Sequence, residues 1–390
     1  MSAAPLRRRL LTPTMIVLAA VAAIGIYFIV QRFLHGLGAV TNLNPGYPWG
    51  IWVVVDIVIG TAFGCGGFAL ALIVYILNKG EYHPMVRPAL LGGLFGYTLA
   101  GIAVIVDLGR YWQFYNLLLP WYAQPNSVMF EVALCVMVYV IVLWIEFSPA
   151  FMERFGFKKL KATLQRYMWL FIALGVLLPT MHQSSLGSVL LVMGTKLSHL
   201  WFTPWLPVLF VTSALAMGYA VVMFEAIVVS KTFRLDSEQP LITRLSRFVG
   251  LLMAGWLALR WIDLVVAGNA GLAFAFDLKA TMFWIENLLL VFAVVVLLTP
   301  QLRADERMSF VAATALLLGG ALYRLDSYLV GLQPVGNWSY FPSVSEIMVS
   351  IGIIAFEILL YLVFVKTLPV LPARHGAPYG AEDVPAQPAE

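Results

Sequence analysis

The chain has 390 residues, 61% of them hydrophobic and 11% charged, with a mean hydropathy of +0.89. That composition excludes a soluble globule and calls for an all-α polytopic membrane protein, in which each span takes about 20 apolar residues. The apolar runs are continuous, which excludes a transmembrane barrel, and the net charge of +4 sits in loops, where it reads as a topology signal and not as nucleic-acid affinity.

Arg7, Arg8 and Arg9 precede the first apolar stretch. A twin-arginine export signal is conceivable, but no small-residue cleavage site follows and further spans do, so the expectation is an uncleaved first helix held in by positive charge. The runs predict ten transmembrane helices over 14–34, 51–77, 88–108, 128–147, 166–186, 206–230, 248–266, 281–298, 309–330 and 346–366. Residues 1–13 form a short N-terminal segment, 14–366 one integral membrane domain, and 367–390 a tail. From Pro372 that tail is rich in Pro, Ala and Gly and predicts disorder.

Lysine and arginine set the orientation. Arg7–Arg9, Lys79, Arg87, Arg154, Lys158, Lys159, Lys161, Arg166, Lys231, Arg234, Arg244, Arg247, Arg303, Arg307, Lys366 and Arg374 fall at one set of helix ends. Only Arg32, Arg110, Lys196, Arg260, Lys279 and Arg324 fall at the other. The bias, roughly three to one, places both termini in the cytoplasm of a bacterial inner membrane.

Measured by rise per residue, the acidic and basic residues inside the spans gather toward the outer side. Asp56 lies one to two turns below the outer surface, and Asp107, Arg110 and Tyr111 reach the outer rim. Glu131, His182, Glu286 and Glu346 lie at outer ends of their helices. Asp107/Arg110 and Arg260/Asp263 are spaced i,i+3, so each pair is expected to neutralise itself on one helix face; Arg324/Asp326 are two apart. Only Glu146, Glu225 and Glu357 lie at mid-depth or deeper, Glu146 near the inner surface. Charges in hydrocarbon are costly and mark pathways or sites, and together these describe a polar chamber opening outward.

Candidate chemistry is narrow. A b-type haem needs two histidines at matched depth; of His35, His83, His182, His199 and His375 only His182 lies within a span. Cys65 and Cys135, two thiols in apolar runs, cannot hold an iron–sulfur cluster and read as buried packing residues. The remaining redox-compatible role is a slot for a lipid-soluble quinone with a few polar groups to bind and protonate its oxygens. Asp56, Asp107, Arg110, Tyr111, His182 and Gln183 are the candidates, with Pro179, three residues before His182, freeing a backbone carbonyl and able to kink the helix. Glu131 and Glu225, each ending a Val-Met-Phe-Glu string, are candidate proton carriers, since an apolar setting favours the protonated acid. Gly64, Gly66 and Gly67 around Cys65 predict close helix packing. The aromatic segments 47–52 and 111–122 predict an interfacial belt.

Longer strings carry a resemblance. They are Tyr47-Pro-Trp-Gly50, Gly60-Thr-Ala-Phe-Gly-Cys-Gly-Gly67, Tyr82-His-Pro-Met-Val-Arg-Pro-Ala-Leu-Leu91, Gly109-Arg-Tyr-Trp112, Asn126-Ser-Val-Met-Phe-Glu131, Leu177-Leu-Pro-Thr-Met-His-Gln-Ser-Ser185, Met282-Phe-Trp-Ile-Glu286 and Tyr340-Phe-Pro342. With these the chain resembles the NrfD/polysulfide-reductase membrane-subunit superfamily, and within it the membrane subunits of hydrogenase-2-type nickel–iron hydrogenases (the HybB type). The resemblance implies two four-helix bundles with flanking first and last helices. It implies a subunit without haem or metal of its own, reducing menaquinone or ubiquinone near the outer face. Its implied partners are a periplasmic ferredoxin-like iron–sulfur subunit, the hydrogenase small and large subunits, and membrane lipid. Three rivals remain: the quinone subunit of another oxidoreductase of this family, such as a polysulfide-using molybdenum enzyme; a passive anchor; and a transporter with a midplane site.

Overall fold

A computed structural model describes residues 5–6, 9–336 and 338–371. Arg7, Arg8, Arg374, His375 and the expected disordered tail beyond Leu371 lie outside them. Ten helices are long and apolar enough to cross a membrane: α1 Pro13–His35, α2 Ile51–Ile76, α3 Gly80–Asp107, α4 Val128–Phe155, α5 Lys158–Lys196, α6 Leu206–Phe233, α7 Gln239–Val266, α8 Leu278–Leu298, α9 Glu306–Val330 and α10 Val344–Thr367. All ten expected spans are present. Several run past the apolar windows, α5 beginning eight residues before residue 166 and α4 ending eight after residue 147. Charged residues continue the helix into the interface, where hydropathy no longer marks it. Glu146 lies nine residues, about 13 Å, before the end of α4.

The caps are legible in the chain. Thr12 precedes Pro13 and accepts from the Met15 amide, and Asp277 Oδ1 accepts from the Ala280 amide at 2.7 Å. Ser343 and Glu346 form a reciprocal capping box at the start of α10. Glu346, fully buried, also takes the Asn42 amide at 3.0 Å and the Tyr340 hydroxyl at 2.6 Å, and so ties loop 36–50 to loop 331–343. Burial and the Glu346 carboxylate raise the pKa of the Tyr340 phenol, which therefore remains a donor.

The helices pack in two neighbour circuits. In one, α2 lies on α3, α3 on α4, α4 on α5, and α5 returns to α2. In the other, α6 lies on α7, α7 on α8, α8 on α9, and α9 returns to α6. Contacts of α6 with α2 and α5, and of α9 with α2, join them; α1 and α10 pair with each other and lean on α3. All connections at the end bearing the termini are short. Those at the opposite, long-loop end include 36–50, 108–127 and 331–343.

Glycines set the closest crossings. A Cβ on Gly93 of α3 would meet the Gly64 carbonyl at 2.6 Å, and one on Gly218 of α6 would meet the Cys65 carbonyl at 2.7 Å. Of the glycines around Cys65, Gly64 is tightly packed, a Cβ there falling 2.9 Å from the Tyr97 ring, whereas a Cβ on Gly66 or Gly67 would make ordinary contacts at 3.4 Å. Gly25 and Gly352 bring α1 and α10 equally close, a Cβ on Gly352 falling 2.6 Å from the Gly25 Cα. Gly352→Val is expected to destabilise the α1–α10 pair by about 1–3 kcal/mol, the usual cost of overpacking, whereas Gly255→Ala, whose Cβ meets nothing within 4 Å, leaves stability intact. Thermal melts of the two variants in detergent check this.

Candidate functional site

A cavity of roughly 890 Å3 lies in the first circuit near the long-loop end. Its walls are Val53, Ile57 and Val58 of α2, Gly101, Ile102 and Ile105 of α3, Phe130, Ala133 and Met137 of α4, and Leu186 and Val189 of α5. Residues 113–124 roof it, and Trp49 and Tyr328 bound it on the side of the second circuit. Ile102, Met129 and Ile141 among its lining are more than half exposed, so it opens between α3 and α4 on the flank of the protein. Few polar groups reach it. Asp107 is fixed by a 2.6 Å bond from Trp52 Nε1, and Tyr328 donates its hydroxyl to the Leu186 carbonyl at 2.7 Å.

Behind this wall lies a buried polar cluster centred on Thr61. The Thr61 hydroxyl donates to the Ile57 carbonyl at 2.5 Å and accepts from Gln183 Nε2 at 3.1 Å. His182 Nε2 lies 3.0 Å from the same oxygen. With the Thr61 proton committed to Ile57, Nε2 is assigned as the protonated nitrogen, which leaves Nδ1 a bare acceptor. His182 Nδ1 and Gln183 Oε1 are both buried without a partner. Tyr97 packs edge-on to His182, with ring centroids 5.8 Å apart, and its hydroxyl is 3.6 Å from Cys65 Sγ.

Arg324 completes the cluster from α9. Its Nη1 donates to the Val58 carbonyl and its Nη2 to the Phe210 carbonyl, each at 2.9 Å. Val58 belongs to a π-helical turn over Val54–Ile59, which reorients carbonyls of α2 that an α-helix would pair internally. Arg324 is fully buried, and no carboxylate of the described residues forms an ion pair with it. It is a buried cation held by backbone dipoles and within electrostatic reach of Cys65, Tyr97 and His182.

The residues singled out by sequence are therefore dispersed. Only Asp107 lines the cavity. His182 and Gln183 meet through Thr61 but sit one turn behind Leu186, which forms the wall. Asp56 is buried on the other face of α2, with Glu357 of α10 as its charged neighbour and Oδ2 unpartnered. Arg110 is exposed, because α3 ends at Asp107 and residues beyond it leave the helix. Its expected place beside Asp107 is taken by Arg32 of α1, which donates to the Val106 and Leu108 carbonyls and lies over the Tyr111 ring at 5.0 Å. Tyr111 thus packs beneath Arg32, outside the lining. Glu131 is half-buried, between cavity-lining Phe130 and Val132. Glu225 accepts the Tyr361 hydroxyl. Arg260 pairs with Glu286, not with Asp263, and Arg324 does not pair with Asp326.

Sequence reasoning passed over Arg32, Trp52, Thr61, Tyr97 and Tyr361. A lone hydroxyl in a glycine-rich apolar run was the available signal for Thr61. None announced Trp52 or Tyr97 among so many aromatics.

The model for the family described as polysulphide reductase, NrfD matches residues 39–330. The chain belongs to the NrfD family. It is 43% identical over 371 residues to the probable Ni/Fe-hydrogenase 2 b-type cytochrome subunit of Escherichia coli (strain K12), covering 94% of this chain and 95% of the relative. It is 26% identical to the menaquinone reductase integral membrane subunit of Nitratidesulfovibrio vulgaris, covering 89% of each. With the Hdr-like menaquinol oxidoreductase integral membrane subunit of Archaeoglobus fulgidus it shares 25% identity over 92% of this chain and 93% of that one. The first relative's name implies a b-type haem. In this NrfD protein the described histidines do not fit one: His35 ends α1, His83 lies in the first turn of α3, His199 lies in a loop, and only His182 is buried within a span. They offer no axial pair at matched depth.

Thr61→Val removes the hydroxyl that Gln183 and His182 share and leaves buried donors unmatched. It is expected to cost about 1–3 kcal/mol, with Thr61→Ser close to wild type, as read by thermal melts.

Proposed function

We propose that this NrfD protein is the quinone-reactive membrane subunit of a hydrogenase-2-type complex. The observation that carries this reading is the apolar cavity, open on the flank of the protein and bounded by Asp107 at the long-loop end. An isoprenoid-tailed quinone needs such a slot, reachable from lipid and carrying few polar groups. Family membership and the relatives' names support the assignment to a redox complex.

Topology supports the direction of electron entry. Of the six basic residues at the long-loop end, Arg32, Arg260 and Arg324 are buried, so even fewer face water there. By the positive-inside rule that end faces the periplasm. An iron–sulfur partner docked on it delivers two electrons, one at a time, to the quinone beneath the roof over residues 113–124. The quinone gains two electrons and two protons and leaves as quinol. The unpaired guanidinium of Arg324 behind the wall favours negative charge arriving in the cavity. Asp107, held by Trp52, sits at the rim to pass a proton.

Glu131, one turn from the mouth of α4, and Glu225, bonded to Tyr361 much nearer the terminal end, are the proposed proton carriers. If protons follow them from the cytoplasmic side, each one is coupled to about 2.3 kcal/mol per 100 mV of membrane potential. Glu131→Gln is then expected to slow quinone reduction and abolish its response to an imposed potential. Unaltered reduction and proton uptake in proteoliposomes would remove Glu131 from the route.

Gly101 offers a direct test of the cavity. It lines the wall, and a Cβ added there meets nothing within 4 Å, so Gly101→Phe fills space without a backbone clash. Hydrogen oxidation is measured in membranes with a soluble dye and with a quinone as acceptor. Dye reduction should persist, and quinone reduction should fall at least about tenfold, equivalent to 1.4 kcal/mol. Undiminished quinone reduction in this variant, or in membranes lacking the chain, would sink the reading.

A further inference from the structure

A second polar centre lies inside the α6–α9 circuit, apart from the cavity. Arg260 of α7 places Nη2 2.5 Å from Glu286 Oε1 of α8. Its guanidinium lies over the rings of Trp256, Phe283 and Tyr323 at 4.7–5.4 Å. Glu286 also receives Trp201 Nε1 at 3.4 Å and Asn287 Nδ2 at 3.3 Å. Asp326 of α9 reaches the same centre, within hydrogen-bonding range of Glu286. Both carboxyls are fully buried, yet neither Asp326 oxygen has a donor.

The charged and titratable groups facing Asp326 are Glu286 and Arg260; the Tyr323 hydroxyl nearby is also unpartnered. Arg324, two residues before Asp326, is turned toward α2 and α6. One guanidinium cannot neutralise two carboxylates, and a second buried anion without a donor is far costlier than a neutral acid. Glu286, the carboxyl within reach of Asp326, is itself an acceptor. Two carboxyls can hydrogen-bond only when one of them holds a proton.

We infer that Glu286 and Asp326 hold one proton in common and exchange it during turnover, forming a proton-storage site distinct from the quinone cavity. The segment over 196–205 covers it. A bridge between Leu197 and Leu332, a bond from the Ser198 amide to the Gly331 carbonyl at 2.8 Å and one from the Gln333 amide to the Lys196 carbonyl at 2.6 Å pin that segment to the end of α9. Trp201, buried beneath it, bonds Glu286 directly. Asp326 lies only about 6 Å from the end of α9, so movement of Trp201 is the short way to the aqueous phase. α9 also carries Arg324 toward the cavity side, and a charge change there is felt two residues away.

The exchange during turnover rests on the quinone reading; the shared proton does not. The test is infrared difference spectroscopy of the intact complex, hydrogen-reduced minus oxidised, in H2O and D2O. A D2O-sensitive carboxylic C=O band is expected to change between the two states, to vanish in Asp326→Asn and to shift in Glu286→Gln. Dye-linked hydrogen oxidation should stay within about twofold of wild type. A band unaltered in both variants would belong to other carboxyls, leave none for this pair and overturn the inference. A band lost from the absolute spectra of the variants, with no matching feature in the wild-type redox difference spectrum, would overturn the exchange. If a variant fails to assemble, 13C labelling of aspartate and, separately, glutamate in the wild-type chain gives the same assignment. Absence of quinone reduction in wild-type membranes would strike the proposed function instead; the spectra, taken with a chemical reductant for the quinone pool, would still decide the shared proton.

Discussion

Close backbone approach at α2 is the constraint on which the rest depends. Gly64 meets Gly93 of α3 on one side, and the Cys65 carbonyl meets Gly218 of α6 on the other. Without side chains at these crossings, α2 can touch both helix circuits at once and becomes the most buried span. Only then does Thr61 reach His182 and Gln183, and only then does the π-helical turn present the Val58 carbonyl to Arg324. In a membrane, where apolar burial supplies little drive between helices, such small-residue contacts and the polar bonds they permit carry much of the association.

Buried arginines share a second theme. Arg32 satisfies the last carbonyls of α3, Arg324 ties carbonyls of α2 and α6, and Arg260 is half-neutralised by Glu286 and half-held by aromatic faces. None uses the carboxylate nearest in sequence. Guanidinium forks suit carbonyl pairs and ring faces as well as they suit acids. Charge is thereby spread through the long-loop half of the molecule without being cancelled there, leaving a cation beside the cavity and an excess acid in the second circuit.

Much of the fold was legible in the chain. Ten spans follow from apolar runs, whereas the starts set by Asp277 and by the Ser343–Glu346 box fall two to three residues before the apolar windows. Span ends were less legible, because charged turns at Lys158–Lys161 or Met152–Phe155 extend helices that hydropathy stops counting. The candidate site was legible in part. Single buried polar residues such as His182 and Asp56 stand out in apolar sequence, but which face they take depends on helix rotation. The π-helical turn in α2, which no sequence pattern signalled, shifts that rotation. Pair spacing misled for a related reason: i,i+3 rules hold within a continuous helix, and α3 stops between Asp107 and Arg110.

The opening between α3 and α4 has a consequence for supply. Ile102, Met129 and Ile141 surround it, all of them hydrocarbon surfaces. A substrate using that gate never crosses water, so its encounter rate is set by two-dimensional diffusion and by mole fraction within the leaflet. Aqueous volume and bulk concentration drop out of the rate law, and lipid fluidity enters it.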